Sequence, residues 1–151
     1  MTSRIYPLGS LVFYKYTVIF AHCQGKWLFP RHKARQTFET AGGHIELGET
    51  PLEGAARELR EETGAEVFDI RPVFDYWAGD GDSGANGQVF YAEVDRLGEL
   101  PAGFEMREVG RFDSLPEALT YPGITPLLFD EIVRLMGNGG LAAHFPSKNK
   151  E

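Results

Sequence analysis

Residues 43–65 read GHIELGETPLEGAARELREETGA, and the reading of this stretch decides the fold. Thr50 stands directly before Pro51, and Glu53 follows three positions later. A threonine hydroxyl in that place accepts from the backbone N–H three residues on, while the glutamate reaches back to the threonine N–H. Pro51 takes the first helical position, where its missing N–H costs nothing. Gly64 supplies the left-handed residue at which helices end. Both ends are therefore written into the sequence, which predicts a helix from Pro51 to about Thr63.

At about 100° per residue, Leu52, Ala55, Ala56 and Leu59 form one apolar stripe, expected to bury against a sheet. Glu58, Glu61 and Glu62 fall within one arc beside it. Like charges at these spacings repel, each pair costing a few tenths of a kcal/mol. They also sit in the C-terminal half, where the helix dipole disfavours anions. A solvated acidic face, with Arg57 and Arg60 as counterions, is one reading. The other is a site for Mg²⁺ or Mn²⁺, which prefers carboxylate oxygens and offsets both penalties.

Outward from the helix, other elements follow from pattern and punctuation. Leu11–Ala21 is rich in β-branched and aromatic residues and reads as a strand; Gln24-Gly25 turns, and Lys26–Arg31 returns. A loop is expected from Gly42-Gly43 to Thr50. Val67–Trp77 and Gln88–Val94 read as strands, with Gly79–Gly87 between them as a long hairpin tip. Arg107–Phe112 is a further short strand, closed by Leu115-Pro116. Leu127, Leu128, Ile132, Val133 and Leu135 recur at helical spacing over 125–136, with Gly137–Gly140 as the cap. The class is α+β: a mixed, curved sheet with a helix against each face.

The composition suits one domain of 151 residues, 42% hydrophobic and 25% charged. That domain is expected over residues 1–146, with a frayed polar tail over 147–151. Leu11–Cys23 is interrupted by Lys15 and His22 and falls short of the roughly 20 apolar residues of a membrane span. No signal-peptide pattern precedes it, and Cys23 is the lone cysteine. A cytoplasmic protein away from membranes is expected. Fifteen Lys and Arg against 22 Asp and Glu give a net charge of −7. Such a surface argues against duplex nucleic acid as partner and for a small anion that travels with metal cations.

The spacing Gly43, Glu49, Arg57-Glu58-Leu59, Glu61-Glu62, Gly64, with the apolar Ala65 last, resembles the Nudix box in every fixed position. Eight specified residues would coincide by chance in fewer than about one in 10⁸ placements. The approach through Gly25-Lys26-Trp27-Leu28 and Thr37-Phe38-Glu39 is also similar to bacterial members, although Ala41 stands where many relatives have proline. The resemblance implies a Nudix-type α/β/α sandwich and hydrolysis of a nucleoside diphosphate linked to another group. It further implies Mg²⁺ or Mn²⁺ as cofactor, held by Glu58, Glu61, Glu62 and the carbonyl of Gly42. Arg57 would brace a carboxylate of the preceding loop, Glu49; Glu46 shares that loop.

Under this resemblance a carboxylate takes a proton from the attacking water. Glu61 is the first choice within the box, and Glu105 and Glu108 are the downstream candidates, with an exposed loop of mixed charge as the other reading of both. Lys26, Arg31, Lys33 and Arg35 concentrate positive charge ahead of the box. Arg31 and Lys33 are the expected phosphate contacts, unless they merely solubilise the surface. His44, where many relatives carry lysine, either touches phosphate or caps the loop. Trp27, Phe38, Tyr76, Trp77, Phe90 and Tyr91 offer stacking surfaces, or core. The pattern Phe104-Glu105, Phe112, Leu115, Pro116 looks like members acting on nucleoside triphosphates, oxidised guanine nucleotides included. ADP-ribose, dinucleoside polyphosphates and RNA 5′ ends stay open as substrates, as does a homodimer. A non-catalytic Nudix-fold sensor is disfavoured by the full set of carboxylates, and a diphosphate isomerase by the lack of a partner for Cys23.

Overall fold

The structure, a computed structural model, describes residues 1–137. Seven strands run β1 (Thr2–Tyr6), β2 (Tyr14–Cys23), β3 (Lys26–His32), β4 (Ala41–His44), β5 (Ala65–Asp80), β6 (Ser83–Leu97) and β7 (Met106–Phe112). Two helices join them, α1 (Pro51–Thr63) after β4 and α2 (Thr125–Gly137) at the end. The sheet order is β1-β5-β6-β2-β3-β7, with β4 paired to β2. Only the central β2–β6 pair among these is parallel; the remaining pairs are antiparallel. The expected mixed sheet is present.

Strand alternation builds two cores. Ile19, Ala21 and Cys23 of β2 join Leu28, Phe90, Ala92 and Val94 beneath Ala55 and Leu59 of α1. Phe20 points the other way, with Trp27, Phe29, Val89 and Tyr91 beneath Leu128, Phe129 and Ile132 of α2. Each helix thus covers one face, as expected. Removing Leu59 entirely from water contributes about 2 kcal/mol. Trp27, Tyr76, Phe90 and Tyr91 are core residues, and so is Cys23. Among the described residues no helix is long and apolar enough to cross a membrane.

Helix α1 has the bounds its caps prescribe. Thr50 Oγ1 accepts from Glu53 N at 3.1 Å, and Glu53 Oε1 accepts from Thr50 N at 2.9 Å. Gly64 closes the helix at φ 78°. The stripe differs at two members: Leu52 is exposed and Ala56 half-buried, and Gly54 is buried instead. Gly54 lies against Glu49, whose Oε1 an added Cβ would meet at 3.1 Å.

Other departures have local causes. The first long strand begins at Tyr14 because Leu11 is drawn off to the buried Asp75, whose Oδ2 accepts from Leu11 N at 3.0 Å and from the Tyr14 hydroxyl at 2.5 Å. Gly42-Gly43 is no loop: Ala41–His44 pairs with Tyr16–Ile19. The expected hairpin tip over Gly79–Gly87 is two strands, paired out to Asp80↔Ser83 and joined by a two-residue turn. Strand β1, on the sheet edge, was not expected. The expected Gly137–Gly140 cap is helix at Gly137, and its remainder lies outside the described residues, as do the domain limit at 146 and the 147–151 tail.

Candidate active site

Arg57 is the hub. Its Nε donates to Glu49 Oε2 at 2.7 Å and its Nη2 to Glu49 Oε1 at 3.0 Å, a two-pronged grip. Nη1 turns to Glu58 Oε1 at 2.9 Å and Glu61 Oε2 at 3.4 Å, and lies 3.5 Å from Glu46 Oε1. Nη2 also reaches the His44 carbonyl at 3.3 Å. One guanidinium therefore ties the loop before α1 to the helix itself. The hydrogen bond from Arg57, aided by the Glu46 backbone N–H, lowers the Glu49 pKa to about 2. Arg57 is held charged in return, chiefly by Glu49.

Glu62 lies at the other side of the carboxylate row. Its Oε1 accepts from the Gly42 N–H at 2.8 Å. Burial raises its pKa to about 8, and the charges of Glu58, Glu39 and Glu105 push the same way against the Gly42 bond. Burial also raises the Glu58 pKa, with Arg57 opposing. Gly42 and Gly43 make this closeness possible. A Cβ on Gly42, at φ 143°, would come within 2.2 Å of the Thr17 carbonyl oxygen, and one on Gly43 within 3.1 Å of Glu58 Oε1.

These residues fit a hard divalent cation by donor chemistry, being carboxylate oxygens that two glycines let approach the β4 backbone closely. They do not form a closed cage: among the described residues no three acidic, histidine or cysteine side chains converge tightly enough to enclose an ion. An open set suits Mg²⁺, which keeps waters and takes substrate oxygens in its remaining positions.

Strands β3 and β7 carry the downstream candidates, and strand parity separates them. Leu28 packs on the α1 side and Phe29 on the α2 side, so alternation sends Arg31 toward α2 and His32 toward α1. Arg31 Nε donates to Glu108 Oε1 at 2.7 Å, and its Nη1 to the Arg35 carbonyl at 2.8 Å. The register then slips: Arg31 faces Glu108 but His32 faces Met106. The extra residue brings Glu105 to His32, with Nε2 and Oε2 3.3 Å apart. Glu105 is thus the downstream carboxylate whose charge acts on Glu62, whereas Glu108 is paired with Arg31 on the opposite face.

The expected basic cluster does not converge. Lys26 pairs with Asp113, Arg35 Nη1 donates to Glu39 Oε1 at 3.2 Å, and the Lys33 side chain is exposed. The His44 ring stands 4.7 Å from that of Tyr16. Sequence reasoning missed two members of the neighbourhood. Glu39, mostly buried, is close enough to act on Glu62, and His32 faces Glu105. The parity of Leu28, Pro30 and His32 was the available signal for the second; for Glu39 there was none.

The profile of the NUDIX domain matches residues 15–127. A Bacillus subtilis (strain 168) protein, provisionally named 8-oxo-dGTP diphosphatase YtkD, is 30% identical over 106 residues, which span 70% of this chain and 66% of that protein. The crystal structure of a mutant of the Bacillus subtilis pyrophosphohydrolase BsRppH superposes with a TM-score of 0.76 at 22% identity, covering 91% of each chain. A NUDIX family hydrolase from Clostridium perfringens follows at 0.62 and 20% identity, covering 83% of this chain and 99% of that one. With its box residues gathered around Arg57 and its sheet shared with these structures, the chain belongs to the Nudix hydrolase family.

Proposed function

We propose that the chain is a divalent-metal-dependent pyrophosphohydrolase that converts a nucleoside triphosphate and water to the monophosphate and pyrophosphate. The observation that carries this reading is the row Glu58, Glu61 and Glu62 along one side of α1, anchored by Arg57 at one end and Gly42 at the other. Held by Glu58, Glu61, Glu62 and the Gly42 carbonyl, Mg²⁺ or Mn²⁺ would neutralise phosphate oxygens and acidify a water. The water oxygen bonds to phosphorus, the anhydride P–O bond breaks with its electron pair leaving on pyrophosphate, and one water proton needs an acceptor. A carboxylate committed to a cation is a poor acceptor, which favours Glu105 over Glu61 for that role. Glu105 is 74% exposed, so water reaches it, and it carries no arginine partner among the described contacts. Glu108 instead fixes Arg31 on the α2 side of the sheet, so of the two expected phosphate contacts the exposed Lys33 is the one assigned to substrate.

The name of the Bacillus subtilis relative puts 8-oxo-dGTP first among triphosphates to try. The experiment is a panel with Mg²⁺ or Mn²⁺: oxidised and ordinary nucleoside triphosphates, ADP-ribose, dinucleoside polyphosphates and a 5′-triphosphate RNA. Pyrophosphate released fastest from a free triphosphate supports the reading. Preference for another member moves the substrate, and an inert panel would return the fold to ligand sensing.

A further inference from the structure

We propose that His32 is a positioning residue for Glu105, presenting its Nε2–H to that carboxylate so that one oxygen stays turned to the attacking water. This rests on Glu105 as the proton acceptor. Three observations carry it, and the first is the tautomer. The His32 Nδ1 accepts from the Ala34 backbone N–H at 3.0 Å. A ring nitrogen that accepts carries no proton, so in the neutral imidazole the hydrogen sits on Nε2. Nε2 is the atom 3.3 Å from Glu105 Oε2.

The second is rigidity. The Lys33 N–H donates to the Glu105 carbonyl at 2.9 Å, so the backbone next to the histidine holds the backbone of the glutamate. Arg31, the preceding residue, is locked across the same strands by Glu108. The His32 side chain is only 20% exposed, whereas that of Glu105 is 74% exposed. A fixed donor therefore faces a carboxylate that would otherwise sample many rotamers.

The third is the register slip. Were β7 to pair with β3 without it, the residue opposite His32 would be Arg107, and no carboxylate would face the ring. The bulge re-aims the strand so that His32 and Glu105 meet on the side of α1, where Glu105 is felt by Glu62. Contacts of this kind are commonly loose before substrate binds and tighten afterwards, so 3.3 Å suits the role.

The test compares His32→Ala, His32→Gln, Glu105→Gln and the double variant His32→Ala/Glu105→Gln on the substrate found in the panel. Loss of an orienting partner costs about 10–100-fold, so His32→Ala is expected to lower kcat by at least about 10-fold with KM little changed. Glutamine places an amide N–H near the position of Nε2 and is expected to restore most of the rate. In the Glu105→Gln background His32→Ala is expected to cost nothing further. Nitrogen NMR of the metal-free protein at pH 8 is expected to find the proton on Nε2, a readout independent of turnover. Equal cost in both backgrounds, a change in KM alone, glutamine no better than alanine, or the proton on Nδ1 would each overturn the proposal. Glu105→Gln at full activity would instead remove the proton acceptor beneath it, a separate and distinguishable failure.

Discussion

Arg57 holds Glu49 by two parallel hydrogen bonds, 2.7 and 3.0 Å, across the turn that leads into α1. Only a guanidinium makes both contacts while also facing Glu58 and Glu61. Arg57→Lys is expected to keep the fold and lower kcat/KM by about 10–100-fold. A steady-state comparison checks this, and full activity would deny the grip any role in seating the carboxylates.

The same grip sets an acid limit. The Glu49 pKa is lowered from 4.5 to about 2 in the folded protein. A depressed carboxylate contributes stability that is present above its unfolded value and lost as pH falls through the folded one. Between about pH 4.5 and 2 the wild type should therefore lose stability more steeply than Glu49→Gln. Urea unfolding across that window measures it, and parallel curves would contradict it.

Glu62 works in the opposite direction. Burial first, then neighbouring negative charge, raises its pKa from 4.5 to about 8. The native state keeps a proton that the unfolded chain has released, so this contribution is complete below pH 4.5 and fades as pH climbs through 8. In chelator, the protein should be more stable at about pH 5.5 than at about 8.5, and Glu62→Gln should flatten the difference. Added Mg²⁺ should displace the proton, which calorimetry in buffers of different ionisation heat detects. An unchanged slope in the variant would exclude Glu62 as its source.

Gly42 and Gly43 should fail differently. An alanine methyl at Gly42 meets the Thr17 backbone oxygen at 2.2 Å, at a φ that L-residues avoid. Gly42→Ala is expected to cost about 1–3 kcal/mol and to lower Tm. At Gly43 the methyl meets the far end of Glu58 at 3.1 Å, which can swing aside. Gly43→Ala should fold normally and lose activity. Thermal melts and turnover, measured together, separate the two.

Glu61→Gln preserves the shape of α1 and removes one charge from its acidic side. Turnover is expected to fall by about 100-fold or more while Tm holds or rises, because a repulsion is relieved. Unaltered kinetics would take Glu61 out of the site.

Legibility followed the range of the interaction. Thr50, Pro51, Glu53 and Gly64 act on their own neighbours, and α1 came out with both ends in place. The Arg57–Glu49 pair is eight residues apart and was equally readable. The β5–β6 arm was not, because its glycines look like loop. Pairing across the arm holds them in strand, and an aromatic lies over two of them: a Cβ on Gly87 would strike Tyr76 and one on Gly84 would strike Trp77. Strand β1, five residues on an edge, owes its place to pairing with Trp77 and its neighbours, far along the chain. The His32–Glu105 meeting depends on a bulge between distant strands, and no local pattern announces it.

The parallel pairing of β2 with β6 joins distant stretches of the chain, from Tyr14↔Asn86 to His22↔Glu93. A growing chain cannot complete its middle ladder until β6 has left the ribosome, so α1, though able to start its own turns early, waits with its apolar side uncovered. Folding should accordingly be slow for the size of the chain, and shortened versions ending before β6 should be aggregation-prone rather than partly active.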